Sequence, residues 1–238
     1  MKNKKIRKMK KIILSFIALI FTLSINAQLD RSVMPLGGPS PKIKLDKPKE
    51  FKLKNGIRVL VVENHKLPRI NYSLRFDRKP IVEGEKTGVI SLLGSMLGNG
   101  TTNIPKDDFN EEVDFLGAGI NVGFGSGFAF TLTKNNERVL DLFSDAVINP
   151  LLTEEEFEKE KDKLIEGLKS QKKDIDAISG RVGDALSYGK NHAYGEFISE
   201  QTIENIKFED ILEYHAKYFI PNNVYIVVIG DVNYKEVK

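Results

Sequence analysis

The sequence predicts an α+β domain, an antiparallel or mixed sheet covered by helices. Apolar residues alternate or run as β-branched stretches in some segments and recur at helical spacing in others, and the two kinds come as hairpins and helix clusters without regular alternation. The composition is that of a globular chain: 238 residues, 41% hydrophobic, 29% charged and 9% aromatic, which excludes disorder, collagen and coiled coil as the main architecture. Cysteine is absent and only three histidines occur, His65, His192 and His215. This removes disulfides, thiolate metal sites and cysteine nucleophiles, and no two histidines lie close enough in sequence to clamp a metal from one helix.

The elements follow in order. Residues 1–11 hold seven positive charges (Lys2, Lys4, Lys5, Arg7, Lys8, Lys10, Lys11), and residues 12–25 are almost continuously apolar. That is the pattern of an export signal, with cleavage expected after Ala27. An apolar run of 14 residues is short for a membrane span, which needs about 20, so an uncleaved anchor is the lesser alternative. The chain is therefore expected to be exported, to a periplasm or the extracellular space. Without residues 1–27, 29 of the 36 basic residues face all 33 acids, a net charge of about −4, and nucleic-acid binding loses its compositional support. Residues 28–48, with Pro35, Gly37, Gly38, Pro39, Pro41 and Pro48, read as an extended leader.

The folded domain is expected over 49–238. Residues 51–54 alternate, Asn55-Gly56 is a hairpin signal, and residues 57–62 are a β-branched run; a third strand is expected at 70–77. Helices are expected at 87–97, where a wide apolar stripe stops at Asn99-Gly100, and at 105–116, opened by Pro105 and closed by Gly117. Two glycine-interrupted strands (119–125 and 127–133) precede a helix at 137–148. Thr153-Glu154-Glu155-Glu156 reads as a capping box opening a charged helix to about residue 173, with Phe157, Leu164, Ile165 and Leu168 as its buried stripe. Ile178, Val182, Ala185 and Leu186 continue at helical spacing; 208–218 is another helix and 224–229 an apolar strand. The tail from Asp231 to Lys238 shows no closing element.

Among these strings a family pattern is visible: Asn55-Gly56-Ile57-Arg58-Val59, Glu85-Lys86-Thr87-Gly88-Val89, Met96-Leu97-Gly98-Asn99-Gly100-Thr101, Phe115-Leu116-Gly117-Ala118-Gly119-Ile120-Asn121, Asn149-Pro150-Leu151, Glu155-Glu156-Phe157-Glu158-Lys159-Glu160, His192-Ala193-Tyr194-Gly195 and Val228-Ile229-Gly230-Asp231-Val232. In order and spacing the chain resembles the amino-terminal domain of the pitrilysin/insulinase zinc peptidases, which include the mitochondrial processing peptidases. The resemblance implies that the helix after the third strand should carry His-x-x-Glu-His, two imidazoles one helical turn apart on a zinc ion with a glutamate beside the bound water. Here Ser91, Gly94 and Ser95 stand at those positions. Aligning Glu160 with the first of the family's paired acids puts Gly167 at the last ligand position, with Glu166 one residue away. Serine hydroxyls are poor zinc ligands and glycine has no side chain, so no metal or cofactor is expected, zinc belonging to the active relatives. Small residues on such a helix also suit close packing in their own right.

The resemblance further implies that Gly119, Ile120, Asn121 and Val122 form an edge strand able to pair with an extended peptide, an interaction that uses main-chain groups and needs no metal; a twisted edge without a ligand is the plainer reading of its glycines. The glycines between 117 and 127 lack the setting of a nucleotide loop. His65, in a turn, and His215, on a helix, read as surface or helix-face residues without a partnering carboxylate, and His192 as structural. No Gly-x-Ser-x-Gly elbow occurs. The function implied is an exported non-catalytic homologue that binds peptide and pairs with a second insulinase-family subunit or domain carrying the intact motif. Alternatives are a stand-alone peptide-binding module, a fragment of a longer family protein and, least supported, an active zinc peptidase.

Overall fold

The computed structural model describes residues 37–40, 47–221 and 224–238. The segments expected as signal and most of the expected leader lie outside these. The described residues from 47 to 238 form one compact unit.

Among the described residues six strands make one mixed sheet: β1 (Lys49–Lys52), β2 (Arg58–Glu63), β3 (Arg69–Phe76), β4 (Gly119–Val122), β5 (Ser126–Leu132) and β6 (Val224–Gly230), in spatial order β1-β2-β6-β3-β5-β4. Only the β2–β6 pair is parallel. The expected hairpin at Asn55-Gly56 is present, with Gly56 at φ 100° and the Asn55 side chain accepting from the Ile57 N–H at 3.2 Å. The turn consumes Leu53 and Lys54, so β1 begins earlier than the alternation predicts.

One face of the sheet carries the core. Val59 and Val61, Ile70, Tyr72 and Leu74, Ala129 and Val228 are buried there at every second position, as a half-buried strand requires. Against them pack α1 (Val89–Met96), α2 (Lys106–Phe115) and α3 (Asn136–Ile148), with α4 (Glu154–Gln171) and α7 (Phe208–Tyr218) crossing α1. The other face leaves Phe128 and Phe130 of β5 at 49% and 47% exposure, with Leu132 and Ile229 also exposed.

Several expectations need correction. α1 starts at Val89, because Gly84–Lys86 is a separate 3-10 turn and Gly88 has φ 115°. The strand expected at 119–125 ends at Val122, where residues 123–126 turn back into β5. In α4, Phe157 and Leu168 are buried but Leu164 and Ile165 only half so; Thr153 caps it by accepting from the Glu156 N–H at 3.3 Å. The residues Ile178, Val182, Ala185 and Leu186 lie on α5 (Ile175–Tyr188), which has no buried residue. The short helix α6 (Glu200–Glu204), opened by a Ser199–Thr202 capping box, was not apparent in the pattern. The tail does close: α8 (Tyr234–Val237) sets Tyr234 edge-on against Phe51, ring centroids 5.9 Å apart, and its hydroxyl donates to the Glu50 carbonyl at 3.2 Å.

Candidate functional site

Leu92, Leu93 and Met96 bury one side of α1, which leaves Ser91 and Ser95 exposed and Gly94 half-buried. All three fall on one side because positions i, i+3 and i+4 share a helix face. The Ser95 hydroxyl turns back to donate to the Leu92 carbonyl at 2.9 Å. A Cβ on Gly94 would meet the Phe124 backbone nitrogen at 3.8 Å, so this face of α1 lies beside the turn that joins β4 to β5. On α4, Gly167 is half-buried with open space where a side chain would start. Glu166 is exposed, about half a turn round the helix from Phe157.

The α1 amino terminus is held by two carboxylates. Glu83 accepts from the Gly88 and Ile90 N–H groups at 3.1 and 2.9 Å; burial, helped by the nearby Glu196, raises its pKa above the usual carboxylate value in spite of those bonds. Glu196 in turn accepts from the Glu83 and Gly84 N–H groups at 2.8 and 2.9 Å. Lys86 pairs with Asp210 of α7 at 2.5 Å. Burial works against the charge on Asp210, but the Lys86 contact and the Lys207 N–H hold its pKa below the ordinary range.

The neighbouring edge is β4. Because Gly123 donates to Ser126 at the hairpin end, the antiparallel alternation turns the main-chain groups of Ile120 and Val122 away from β5. Gly98, at φ 75°, comes up against Val122: a Cβ there would lie 3.0 Å from the Val122 nitrogen. Ile120 thus offers the outward N–H and carbonyl beyond that contact. Asn121, exposed, registers with Phe128, while Gly119 registers with Phe130, whose ring crosses it closely enough that a Cβ would meet the ring edge at 2.3 Å.

One residue that sequence reasoning missed fixes this hairpin. Arg78, just past β3, donates to the Phe124 carbonyl and, at 3.3 Å, to the Tyr218 carbonyl. Its guanidinium lies 4.0 Å from the Phe124 ring centroid and 4.8 Å from that of Phe76, a stacked cation on aromatic faces. Asp77-Arg78-Lys79-Pro80 reads only as a polar loop, so no local signal marks it.

The histidines lie apart from this site. His65 does have a carboxylate, contrary to expectation: its Nδ1 is 2.7 Å from Asp231, which also accepts from the Thr133 hydroxyl at 3.0 Å. The pair is exposed and pins loops across the sheet end. His192 stacks on Tyr188 and accepts from the Tyr194 N–H. His215 is half-buried, stacked on Phe219 at 4.6 Å, not a surface residue.

The family's zinc does not fit these residues. Ser91, Gly94, Ser95 and Gly167 present no imidazole or carboxylate, and among the described residues no three His, Asp or Glu side chains gather closely enough to hold a metal ion.

A mixed sheet with one helical layer and an edge hairpin set beside α1 is a fold shared with solved M16 domains. The comparisons agree. The profile of the family "Insulinase (Peptidase family M16)" matches residues 80–187, a little under half of the chain. The chain is 23% identical over 192 residues to the uncharacterized zinc protease YmxG of Bacillus subtilis, covering 78% of this chain and 47% of that protein. To the rat mitochondrial-processing peptidase subunit beta it is 24% identical over 191 residues, covering 77% and 39%. The chain thus spans less than half the length of these relatives. Among solved structures, the inactive domain of an M16 peptidase from Pseudomonas fluorescens shares the fold at TM-score 0.71 and 24% identity, covering 80% of this chain and 48% of that one. A protease from Helicobacter pylori does so at TM-score 0.72 and 24% identity, covering 82% and 49%.

Proposed function

We propose that this chain is an exported, non-catalytic member of the insulinase family that holds extended peptide along β4 and works beside a second family domain carrying the zinc motif. The observation that carries the reading is the pairing of two features: an α1 face without a metal ligand or a base, and an adjacent strand edge with outward main-chain groups at Ile120. Edge pairing draws on main-chain hydrogen bonds, so it survives loss of the metal. Hydrolysis does not, since the nucleophile in such sites is metal-bound water. Pairing is supported by the apolar open sheet face at Phe128, Phe130, Leu132 and Ile229 and by one relative being itself a subunit. Export rests on the basic and apolar amino-terminal segment.

Affinity purification of the tagged chain from its own cell envelope, followed by mass spectrometry after a salt wash, tests this. The expected result is a stoichiometric family partner with an intact His-x-x-Glu-His. Recovery of the chain alone would overturn the pairing.

A further inference from the structure

The open face of the sheet sets a cation beside its exposed aromatic residues. β3 and β5 pair with Arg69 opposite Leu132 and Asn71 opposite Phe130, and all four residues are exposed. Opposite residues of an antiparallel pair share a face. Between them runs an open cleft of about 490 Å³ that reaches Gly117, just before β4. Neither Gly117 nor Gly119 sets a side chain between the cleft and the β4 edge. The Phe130 ring lies across Gly119 instead, where it takes the place of a Cβ, so the ring is presented at the margin where an added strand would lie. Among the described residues Arg69 makes no ion pair. Asp231 is the acid at hand, since its N–H donates to the Arg69 carbonyl at 2.9 Å, but its carboxylate is engaged by His65 and Thr133. A guanidinium at the wall of an open aromatic cleft suits a carboxylate, because its planar fork can meet both oxygens while the ring covers the apolar stem.

We infer that this cleft takes a carboxylate of the peptide held on β4, paired with Arg69 and Asn71, so that the chain selects acidic peptides. The inference rests on the β4 reading. A peptide residue bonded to Ile120 places its two neighbours opposite Gly119 and Asn121, with their side chains on the open face. The neighbour opposite Gly119 starts beside the Phe130 ring. Three strand spacings, about 14 Å, separate the added strand from β3, so the contact needs the full reach of an arginine and a glutamate, and aspartate falls short. The free terminal carboxylate of a peptide that bends over the ring offers the same chemistry. The overall charge works the other way: without residues 1–27 the chain carries about −4, which repels acidic peptide, so a preference for it reports the local site. A partner domain lying over this face would roof the cleft and strengthen the pair by excluding water.

The test is fluorescence anisotropy of labelled unfolded peptides titrated with the full chain. One peptide carries glutamates and an amidated C-terminus; two others replace the glutamates by glutamine or by aspartate. A fourth is the glutamine peptide with a free C-terminal carboxylate. The glutamate peptide should bind about fivefold more tightly than the amidated glutamine peptide, the effect of one exposed charge pair, and the aspartate peptide no more tightly than the glutamine one. Arg69→Gln, at an exposed position, should abolish the difference and leave the amidated glutamine peptide bound as before. A preference for the fourth peptide that Arg69→Gln abolishes would support the inference with the chain end as the source of the carboxylate. Equal affinities in the wild-type chain, an equal preference for aspartate, or a preference that survives Arg69→Gln would overturn it and leave the β4 reading standing. So would self-association that Arg69→Gln abolishes, which would give the face to a second copy. A chain that binds none of the peptides would remove the inference and the β4 reading together.

Discussion

Gly94 and Gly167 sit inside helices, where glycine costs about 1 kcal/mol relative to alanine. The structure gives neither a reason to be glycine: a Cβ at 94 meets only ordinary contact, and at 167 nothing. Gly167→Ala should therefore raise stability by about 0.5–1 kcal/mol in urea denaturation. The same open space admits the family's side chains. The combined variant Ser91→His, Gly94→Glu, Ser95→His and Gly167→Glu should bind one zinc per chain by calorimetry, and a folded variant that binds none would refute the alignment. His215 makes a different prediction. Burial lowers its pKa, against the Val147 carbonyl that favours its charge, and its Nε2 is buried without a partner. As pH falls through about 6.5 the unfolded chain takes up the proton first. Stability should thus decline from there to the lower folded-state pKa and then level off. His215→Leu should flatten that part of the stability profile.

At the scale of elements, the β4–β5 hairpin is held from outside itself by Arg78. Arg78→Ala removes two carbonyl contacts and the stacking on Phe124 and Phe76. It should speed amide exchange at Gly123–Ser126 and weaken peptide binding severalfold while the rest of the sheet stays protected. Unchanged exchange there would show that the turn holds itself. This brace was invisible in the sequence because it joins residues 46 and 140 positions apart. The strand and helix order was legible because each long element repeats its apolar residues at its own period. α8 was not, since four residues give no period to read. α5 shows another limit: periodicity identifies an amphipathic helix, but whether anything covers its apolar face is decided by the rest of the fold. The expectation that Ser91, Gly94 and Ser95 stand at the zinc-motif positions comes only from the family strings around them, since small residues on a helix carry no chemistry of their own.

At the scale of the whole molecule, one helical layer covers one face of a sheet, and the remaining apolar surface is left on the open face and on α5. That distribution suits a component of an assembly better than an isolated enzyme, because apolar patches of this kind mark contact surfaces. Among the described residues no helix is long and apolar enough to cross a membrane. What would distinguish the chain from the zinc proteases it resembles, on the proposed function, is binding without hydrolysis. The decisive measurement is fluorescence anisotropy of a labelled unfolded peptide titrated with the purified chain, in EDTA and again in added zinc, with mass spectrometry of the peptide afterwards. Saturable binding of equal affinity in both conditions, with the peptide intact, is the expected result; cleavage that appears with zinc and stops with EDTA would contradict it.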